Sequence, residues 1–156
     1  MKKEKKIVNI KITKAKISDA QAIRKLEHEV WNEEVVNKYD IPMFVRFGYV
    51  FTAYHDKKLV GAIIGYQTNN DEVYVVDLVV DIKYRGLKIA EKLYKKLLHR
   101  VKGKNVVTFL DPGLVPTGNL HKKLGAKIIS RVSNPYDLSN GLEGGIRLLV
   151  RIPNKF

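Results

Sequence analysis

The segment with the most chemical potential lies between residues 80 and 90, where an apolar stretch gives way to a helical pattern. Arg85 and Lys88 supply cations there, and Gly86 permits a close approach of the backbone to a ligand. The first N–H groups of a helix have no partners within it, and they stand at the positive end of the helix dipole. Such a terminus binds anions, phosphate in particular. The segment therefore predicts a phosphate-binding turn, and the alternative is an ordinary Arg-Gly turn before a helix.

Three other side chains are candidates for moving a proton. Asp77 lies within a β-branched stretch, and Asp111 ends a strand on the side of the sheet where sites of α/β proteins form. His121 has a side chain whose ordinary pKa suits a general acid. Each also has a structural interpretation. Asp77 would hydrogen-bond nearby backbone, Asp111 would be a turn residue before Pro112, and His121 would lie on an exposed helix surface.

The periodicity of apolar residues predicts the elements that position these groups. Ser18 and Gln21 fit a capping box for a helix that runs to about Asn32. Further helices are predicted over residues 40–48, 86–103 and 116–124. Strands are predicted over residues 7–13, 49–54, 59–67, 72–80, 106–110, 126–132 and 146–152. This order predicts an α/β (α+β) three-layer fold, in which a mixed central sheet of about six to seven strands carries helices on both faces.

Length and composition limit the class of protein. The 156 residues suit one domain, expected over residues 1–156. The absence of cysteine excludes a disulfide framework, a zinc knuckle and a thiol nucleophile. The sequence has no apolar run long enough to span a bilayer, and its basic start leads into an alternating stretch rather than the apolar core of a signal peptide. We therefore expect a soluble, cytoplasmic protein without a membrane partner.

The charge balance favours an anionic partner or simply a solvated surface. Lys and Arg number 29 against 16 Asp and Glu, which gives a net charge of +13. The lysines are scattered and outnumber the arginines, whereas a nucleic-acid binder more often shows one basic stripe with interleaved aromatic residues. Nucleic acid is therefore an unlikely partner by sequence, although a basic nucleic-acid-binding domain stays open as an alternative.

The turn also resembles a known signature. Residues 85–90, Arg-Gly-Leu-Lys-Ile-Ala, follow an apolar strand and resemble the acyl-CoA-binding signature of the GNAT superfamily of N-acyltransferases, Arg/Gln-x-x-Gly-x-Gly/Ala. Residues 120–126 resemble the end of the family's later helix. A finer similarity is to a little-characterised branch of predicted acetyltransferases, through Asp111-Pro112, Leu124-Gly125-Ala126 and Asn134-Pro135-Tyr136.

The resemblance implies an acetyl-CoA-dependent N-acetyltransferase that moves an acetyl group to a primary amine by direct attack on the thioester. The fourth and fifth strands would splay, the pantetheine arm would pair with backbone of the fourth strand, and the pyrophosphate would sit on the start of the helix. Asp77, Asp111 and His121 are the implied catalytic candidates, with Asp77 acting through water as a general base. The implied CoA-binding residues are Leu78, Val79, Val80, Arg85, Gly86, Leu87, Lys88, Ile89, Ala90, Glu91 and Asn119. Acetyl-CoA would serve as co-substrate without a metal, the acceptor would be a small-molecule or peptide amine, and a homodimer is compatible with the family.

The sequence departs from the family pattern at two places. Lys88 stands where the signature has a glycine, so its Cβ would crowd the phosphates or its ammonium would bind them. His121 replaces a tyrosine thought to protonate the leaving thiolate, and Tyr136 could supply a hydroxyl from another loop. An asparagine common at the start of that helix is missing, with Leu114 near its place and Asn119 nearby. These departures leave a second hypothesis, a CoA-binding module of the same fold that has lost its chemistry.

Overall fold

The computed structural model describes residues 8–133 and 146–156. Within them, the strands are β1 (Ile10–Lys14), β2 (Tyr49–His55), β3 (Lys58–Gln67), β4 (Val73–Val80), β5 (Val106–Leu110), β6 (Lys127–Ser133) and β7 (Ile146–Ile152). The helices are α1 (Ala20–Trp31), α2 (Asp40–Phe47), α3 (Ile89–Arg100) and α4 (Val115–Lys123). Short 3-10 turns cover Ile17–Asp19 and Ile82–Tyr84.

The strands form a mixed sheet in the order β1-β2-β3-β4-β5-β7-β6, which confirms the predicted fold class. The parallel pair β4/β5 joins Val73 to Val106 and Tyr74 to Val107, after which β4 continues to Val80. β7 lies antiparallel to both β5 and β6. The order places a β-strand before each of α3 and α4, as the alternation of periods along the sequence predicts.

The chain divides into two compact units, which we treat separately. The N-terminal unit consists of Met1–Ile64 and Asp77–Leu97, and the C-terminal unit of Gly65–Val76 and Leu98–Phe156. The N-terminal unit contains α1, α2 and the turn before α3. The C-terminal unit contains β5, α4, β6 and β7.

Helix α3 packs closely on β3 in the N-terminal unit. Gly61 makes this possible, because a Cβ at that position would lie 3.0 Å from the Ile89 Cγ2 and 3.3 Å from the Leu93 Cδ1. Ile89 and Leu93 are both buried. A larger residue at Gly61 would push the first turns of α3 outward, so this glycine sets how closely α3 approaches β3.

The start of α1 differs from the capping box expected at Ser18 and Gln21. The 3-10 turn Ile17–Asp19 precedes the helix, and the Asp19 Oδ2 accepts a hydrogen bond of 2.7 Å from the Lys16 N–H. The expectation was wrong because Ser18 lies inside the 3-10 turn rather than at a helix cap, and the cap contact forms one turn earlier, between Lys16 and Asp19. The predicted end was right: α1 stops at Trp31, and Asn32 adopts the left-handed conformation with φ 55°.

Candidate functional site

The turn before α3 has an unusual backbone. Gly86 has φ +83°, and Lys88 has φ +60°, a conformation that lysine rarely adopts. The first helical hydrogen bond runs from the Lys92 N–H to the Lys88 carbonyl, 3.0 Å away. The amides of Ile89 and Ala90 therefore belong to the first turn, before the intrahelical ladder begins. The glycine of the family signature at the position of Lys88 has a physical reason, since glycine adopts positive φ without strain.

The turn also leaves room for a ligand. A Cβ built on Gly86 would meet no atom within 4 Å, so the space beside the glycine is open. Arg85 and Lys88 are exposed on the same short segment, and Ile89 anchors it to the core. An open backbone, two cations and the first amides of a helix are the features that suit a diphosphate. The exposed Lys88 is compatible with both interpretations of this residue, a Cβ that crowds the phosphates and an ammonium that binds them.

A pair of buried carboxyl groups forms the second part of the candidate site in the N-terminal unit. Asp77 of β4 is 7% exposed and Glu27 of α1 is fully buried. The two carboxyl groups lie within hydrogen-bonding range of each other, but as carboxylates both are acceptors, so a bond between them requires one proton. With both groups ionised, neither Glu27 oxygen nor the Asp77 Oδ2 has a hydrogen-bond partner among the residues described.

The electrostatics assign that proton to Glu27. Burial, followed by the hydrogen bond and the negative charge of Asp77, raises the pKa of Glu27 to about 9. Burial also raises the pKa of Asp77, but hydrogen bonds from Glu27 and from the Leu78 N–H oppose this shift. Glu27 is therefore the proton donor of the pair, and Asp77 is the group that more readily carries the negative charge. A buried carboxylate with a neutral acid as its partner can accept a proton from an incoming group.

The sequence analysis missed Glu27. Its position offered one signal, since Ile23 and Leu26 place it on the apolar face of α1, where a carboxyl group needs a partner. The identity of that partner depends on packing between a helix and a strand that are 50 residues apart along the chain, and periodicity does not reveal it.

In the C-terminal unit, Asp111 takes the structural role that the sequence left open. Its Oδ1 accepts a hydrogen bond of 2.8 Å from the Gly113 N–H, and its Oδ2 lies 3.8 Å from the Arg147 Nη2. This is an Asx turn followed by α4. Its carboxylate is thus engaged by the backbone of its own turn.

His121 is buried in α4 rather than exposed on its surface. It is 3% exposed, and its Nδ1 lies 2.7 Å from the Thr117 carbonyl oxygen. Because a carbonyl only accepts, Nδ1 carries a proton. Burial lowers the pKa of His121, and the bond to Thr117 only partly offsets this effect. Asn119 lies on the exposed side of the same helix. Tyr136, with the rest of the Asn134–Tyr136 motif, lies outside the described residues.

Comparison with known families places these features in context. The profile of the Acetyltransferase (GNAT) family matches residues 18–126, more than two thirds of the chain and the whole span from α1 to the end of α4. The chain belongs to the GNAT acetyltransferase family. The GNAT resemblance of the turn is thereby confirmed at the level of the family. No curated protein matches this GNAT sequence.

Solved GNAT structures share the fold at low sequence identity. The ribosomal-protein-S18-alanine N-acetyltransferase from Escherichia coli is 16% identical, with 95% of this chain and 96% of that chain covered and a TM-score of 0.80. A GNAT-family acetyltransferase from Bacillus cereus has the same identity and TM-score, with 95% and 99% covered. Arabidopsis thaliana Naa50, in complex with the bisubstrate analogue CoA-Ac-MVNAL, is 17% identical, with 92% and 98% covered and a TM-score of 0.75.

The described part of this GNAT chain holds neither a cluster of metal ligands nor a membrane-spanning helix. In residues 8–133 and 146–156, no group of three or more His, Cys, Asp or Glu side chains is placed to hold a metal ion. No helix in those same residues is long and apolar enough to cross a membrane.

Proposed function

We propose that this protein is an acetyl-CoA-dependent N-acetyltransferase, a single domain over residues 1–156 that moves an acetyl group to a primary amine. The observation that carries the proposal is the open turn at Gly86, which combines positive φ, exposed cations and the first amides of α3. Membership of the GNAT family supports acetyl transfer as the reaction class. The cofactor would supply a thioester, an acyl group already activated for attack by an amine.

The residues of the turn would bind the cofactor's diphosphate. The backbone N–H groups of residues 87–91 would donate to its oxygens, with Arg85 and Lys88 as counter-charges and Gly86 leaving space for the approach. The backbone of Leu78, Val79 and Val80 would pair with the extended pantetheine arm in the manner of an added strand. A strand N–H at this position would stabilise negative charge on the thioester carbonyl oxygen as the amine attacks.

Asp77 would act as the general base in this reaction. An amine is mostly protonated at neutral pH and attacks only after losing that proton. Because Asp77 is only 7% exposed, the proton would reach it through a water molecule. Glu27 would hold its own proton and donate a hydrogen bond to Asp77, which stabilises the charged base. His121 would be the proton donor to the departing thiolate, and holding the amine beside the thioester would supply much of the rate.

The acceptor class is a small-molecule or peptide amine. Two of the structural relatives bear on this choice by name: the Escherichia coli enzyme acts on an alanine of a ribosomal protein, and the Arabidopsis structure holds a peptide-containing bisubstrate analogue. The acceptor panel should accordingly include peptides with free N-termini beside polyamines and lysine.

Two measurements test the proposal. Acetyl-CoA should raise the melting temperature of the protein, because a ligand that binds only the folded state stabilises it. Incubation with acetyl-CoA and the amine panel should release free thiol faster than acetyl-CoA alone. Absence of a melting shift would overturn CoA binding, and so also the proposed enzyme.

The second candidate, a CoA-binding module without activity, is favoured by one observation. His121 is buried with a lowered pKa, so its protonated form is scarce at neutral pH. A melting shift with acetyl-CoA, together with no thiol release for any amine in the panel, would favour this candidate over the enzyme.

A further inference from the structure

A polar cluster lies beside the 3-10 turn Ile82–Tyr84, immediately before the diphosphate-binding turn. We name it the hairpin buttress: His55 and Lys58 at the two ends of the β2–β3 hairpin turn, with Asp81 immediately before the 3-10 turn and Tyr84 at its end. All four residues belong to the N-terminal unit. The sequence analysis gave none of them a role in the site.

Asp81 is the centre of the buttress. It is 7% exposed, and its Oδ1 accepts a hydrogen bond of 2.9 Å from the Lys83 N–H, which caps the 3-10 turn. Its Oδ2 lies 3.1 Å from the Lys58 Nζ. Its own N–H donates to the Val60 carbonyl of β3 at 2.8 Å, and its carbonyl accepts from the Tyr84 N–H at 2.9 Å. The side chain and the backbone of Asp81 thus each contact both the β2–β3 hairpin and the 3-10 turn.

The electrostatics favour the charged form of Asp81. Burial disfavours the carboxylate, but the Lys83 N–H and the Lys58 ammonium favour it more, so the pKa of Asp81 lies below its usual value. A nearly buried carboxylate of this kind depends on its cation, because removing one partner leaves the other charge uncompensated.

The second connection of the buttress is aromatic. The Tyr84 hydroxyl lies 2.7 Å from the His55 Nδ1, and their rings are 5.4 Å apart between centroids. The Lys58 Nζ lies 5.6 Å from the centre of the Tyr84 ring, within the range of a cation–π contact. Lys58 therefore contacts Asp81, which caps the 3-10 turn, and Tyr84, which ends it.

We propose that Lys58 and Asp81 are positioning residues for the diphosphate-binding turn, acting through the 3-10 turn that leads directly into it. This inference rests on the proposed function. The turn needs such support because Gly86 is flexible, Lys88 is strained, and the Arg85 N–H reaches the Ile82 carbonyl only at 3.4 Å. Amides that are fixed before the ligand arrives bind it more tightly than amides that must be ordered on binding.

The test compares CoA with a truncated donor that lacks the diphosphate. Lys58→Met removes the cation and keeps most of the stem. Asp81→Asn keeps an oxygen for the Lys83 N–H but loses the ion pair. We expect each to raise the Kd of CoA by about five- to tenfold, as expected for loss of a charged hydrogen bond. Both variants should turn over S-acetylpantetheine, which has no phosphate group, at the wild-type rate.

Two control variants separate positioning from simple loss of charge. Lys57→Met removes a neighbouring exposed cation of the same hairpin turn and should change the Kd of CoA by less than about twofold, since exposed charges are screened. Lys58→Arg should restore CoA affinity, because arginine can pair with Asp81. Amide exchange of residues 82–88 should accelerate in Lys58→Met and not in Lys57→Met.

The outcomes are distinct. Unchanged CoA affinity in both Lys58→Met and Asp81→Asn would overturn the positioning role while leaving CoA binding intact. An equal loss with CoA and with S-acetylpantetheine would also overturn it, since the defect would then be a general one. Failure of the wild-type protein to bind CoA at all would overturn the proposed function first, and the positioning role with it.

Discussion

Two helices of this protein begin just after a strand, yet their starts are built in different ways. The turn before α3 is open: a Cβ on Gly86 meets nothing, and the neighbouring side chains are cations. The turn before α4 is closed by its own carboxylate, because the Asp111 Oδ1 accepts from the Gly113 N–H and would lie 3.2 Å from a Cβ on Gly113. Strand-to-helix geometry alone therefore does not make an anion site.

The starts of α3 and α4 differ in which groups accept from their free backbone N–H groups and in the charge of the neighbouring side chains. At α4 an acid satisfies a backbone donor and repels an approaching phosphate, and Pro116 removes another donor from the first turn. At α3 the two nearby acids are paired with lysines: Asp81 is turned toward Lys58 and the 3-10 turn, and Glu91, in the first turn of the helix, lies 3.2 Å from the Lys95 Nζ. The same residue type thus blocks one turn and supports the other.

Gly86→Glu should have the largest effect and raise the Kd of CoA at least about a hundredfold, since like charges placed together cost several kcal/mol. Isothermal titration calorimetry measures this directly. Gly103→Glu is the matched control, because Gly103 has φ +77° and equally open surroundings at the other end of α3. The control should bind CoA normally. Equal loss in both variants would mean that backbone strain, rather than ligand contact, explains the effect.

Asp77→Asn should lower kcat by about a hundredfold, within the range of a lost general base, with the Kd of CoA unchanged. Asp111→Asn tests the other turn, where asparagine can still accept from the Gly113 N–H, so the loss should be much smaller. Steady-state kinetics with the best amine of the panel measure both. A larger loss of kcat in Asp111→Asn than in Asp77→Asn would mean that Asp111, in the C-terminal unit, is the general base.

His121→Phe should slow turnover by about tenfold and leave CoA affinity near normal, because phenylalanine keeps the ring volume and removes the proton donor. The donor must be protonated, and its pKa lies below the ordinary 6.5. The part of the rate that depends on His121 should therefore fall as pH rises through that lowered pKa. An identical pH–rate profile for the variant and the wild type would remove His121 from the mechanism.

The sequence predicts the two helix starts better than it predicts their surroundings. The strands β4 and β5 and the apolar face of α3 follow from local patterns, as does Gly86 before the helix. The partner of Asp77 and the burial of His121 do not, because both depend on which distant elements pack together. α4 shows this most clearly: its polar sequence, with Asn119 and Lys122 beside His121, suggests an exposed helix, yet the histidine is buried.

Lys88 holds a single strained backbone angle at the start of α3. Lys88→Gly should stabilise the protein by about 1 kcal/mol, because glycine adopts φ +60° without the strain of a Cβ. Lys88→Ala keeps that strain and removes only the ammonium. Chemical denaturation should give Lys88→Gly a higher free energy of unfolding than Lys88→Ala. Both variants should bind CoA a few fold more weakly than the wild type if the ammonium contacts the diphosphate. Stronger CoA binding in both would show that the lysine crowds the turn.

The carboxyl pair predicts an effect on stability that needs no substrate. Glu27 has a pKa of about 9 in the folded protein against an ordinary value of 4.5, so between these values the unfolded chain loses a proton that the folded protein keeps. The unfolded state then binds fewer protons, and the stability that the protonated group contributes is full below 4.5 and is lost as pH rises toward 9. Glu27→Gln keeps an N–H donor for Asp77 and does not titrate. The melting temperature of Glu27→Gln should exceed that of the wild type by several degrees at pH values near 9 and approach it in acid. If the difference between the two melting temperatures were the same at every pH in this range, Asp77 and Glu27 would share no proton.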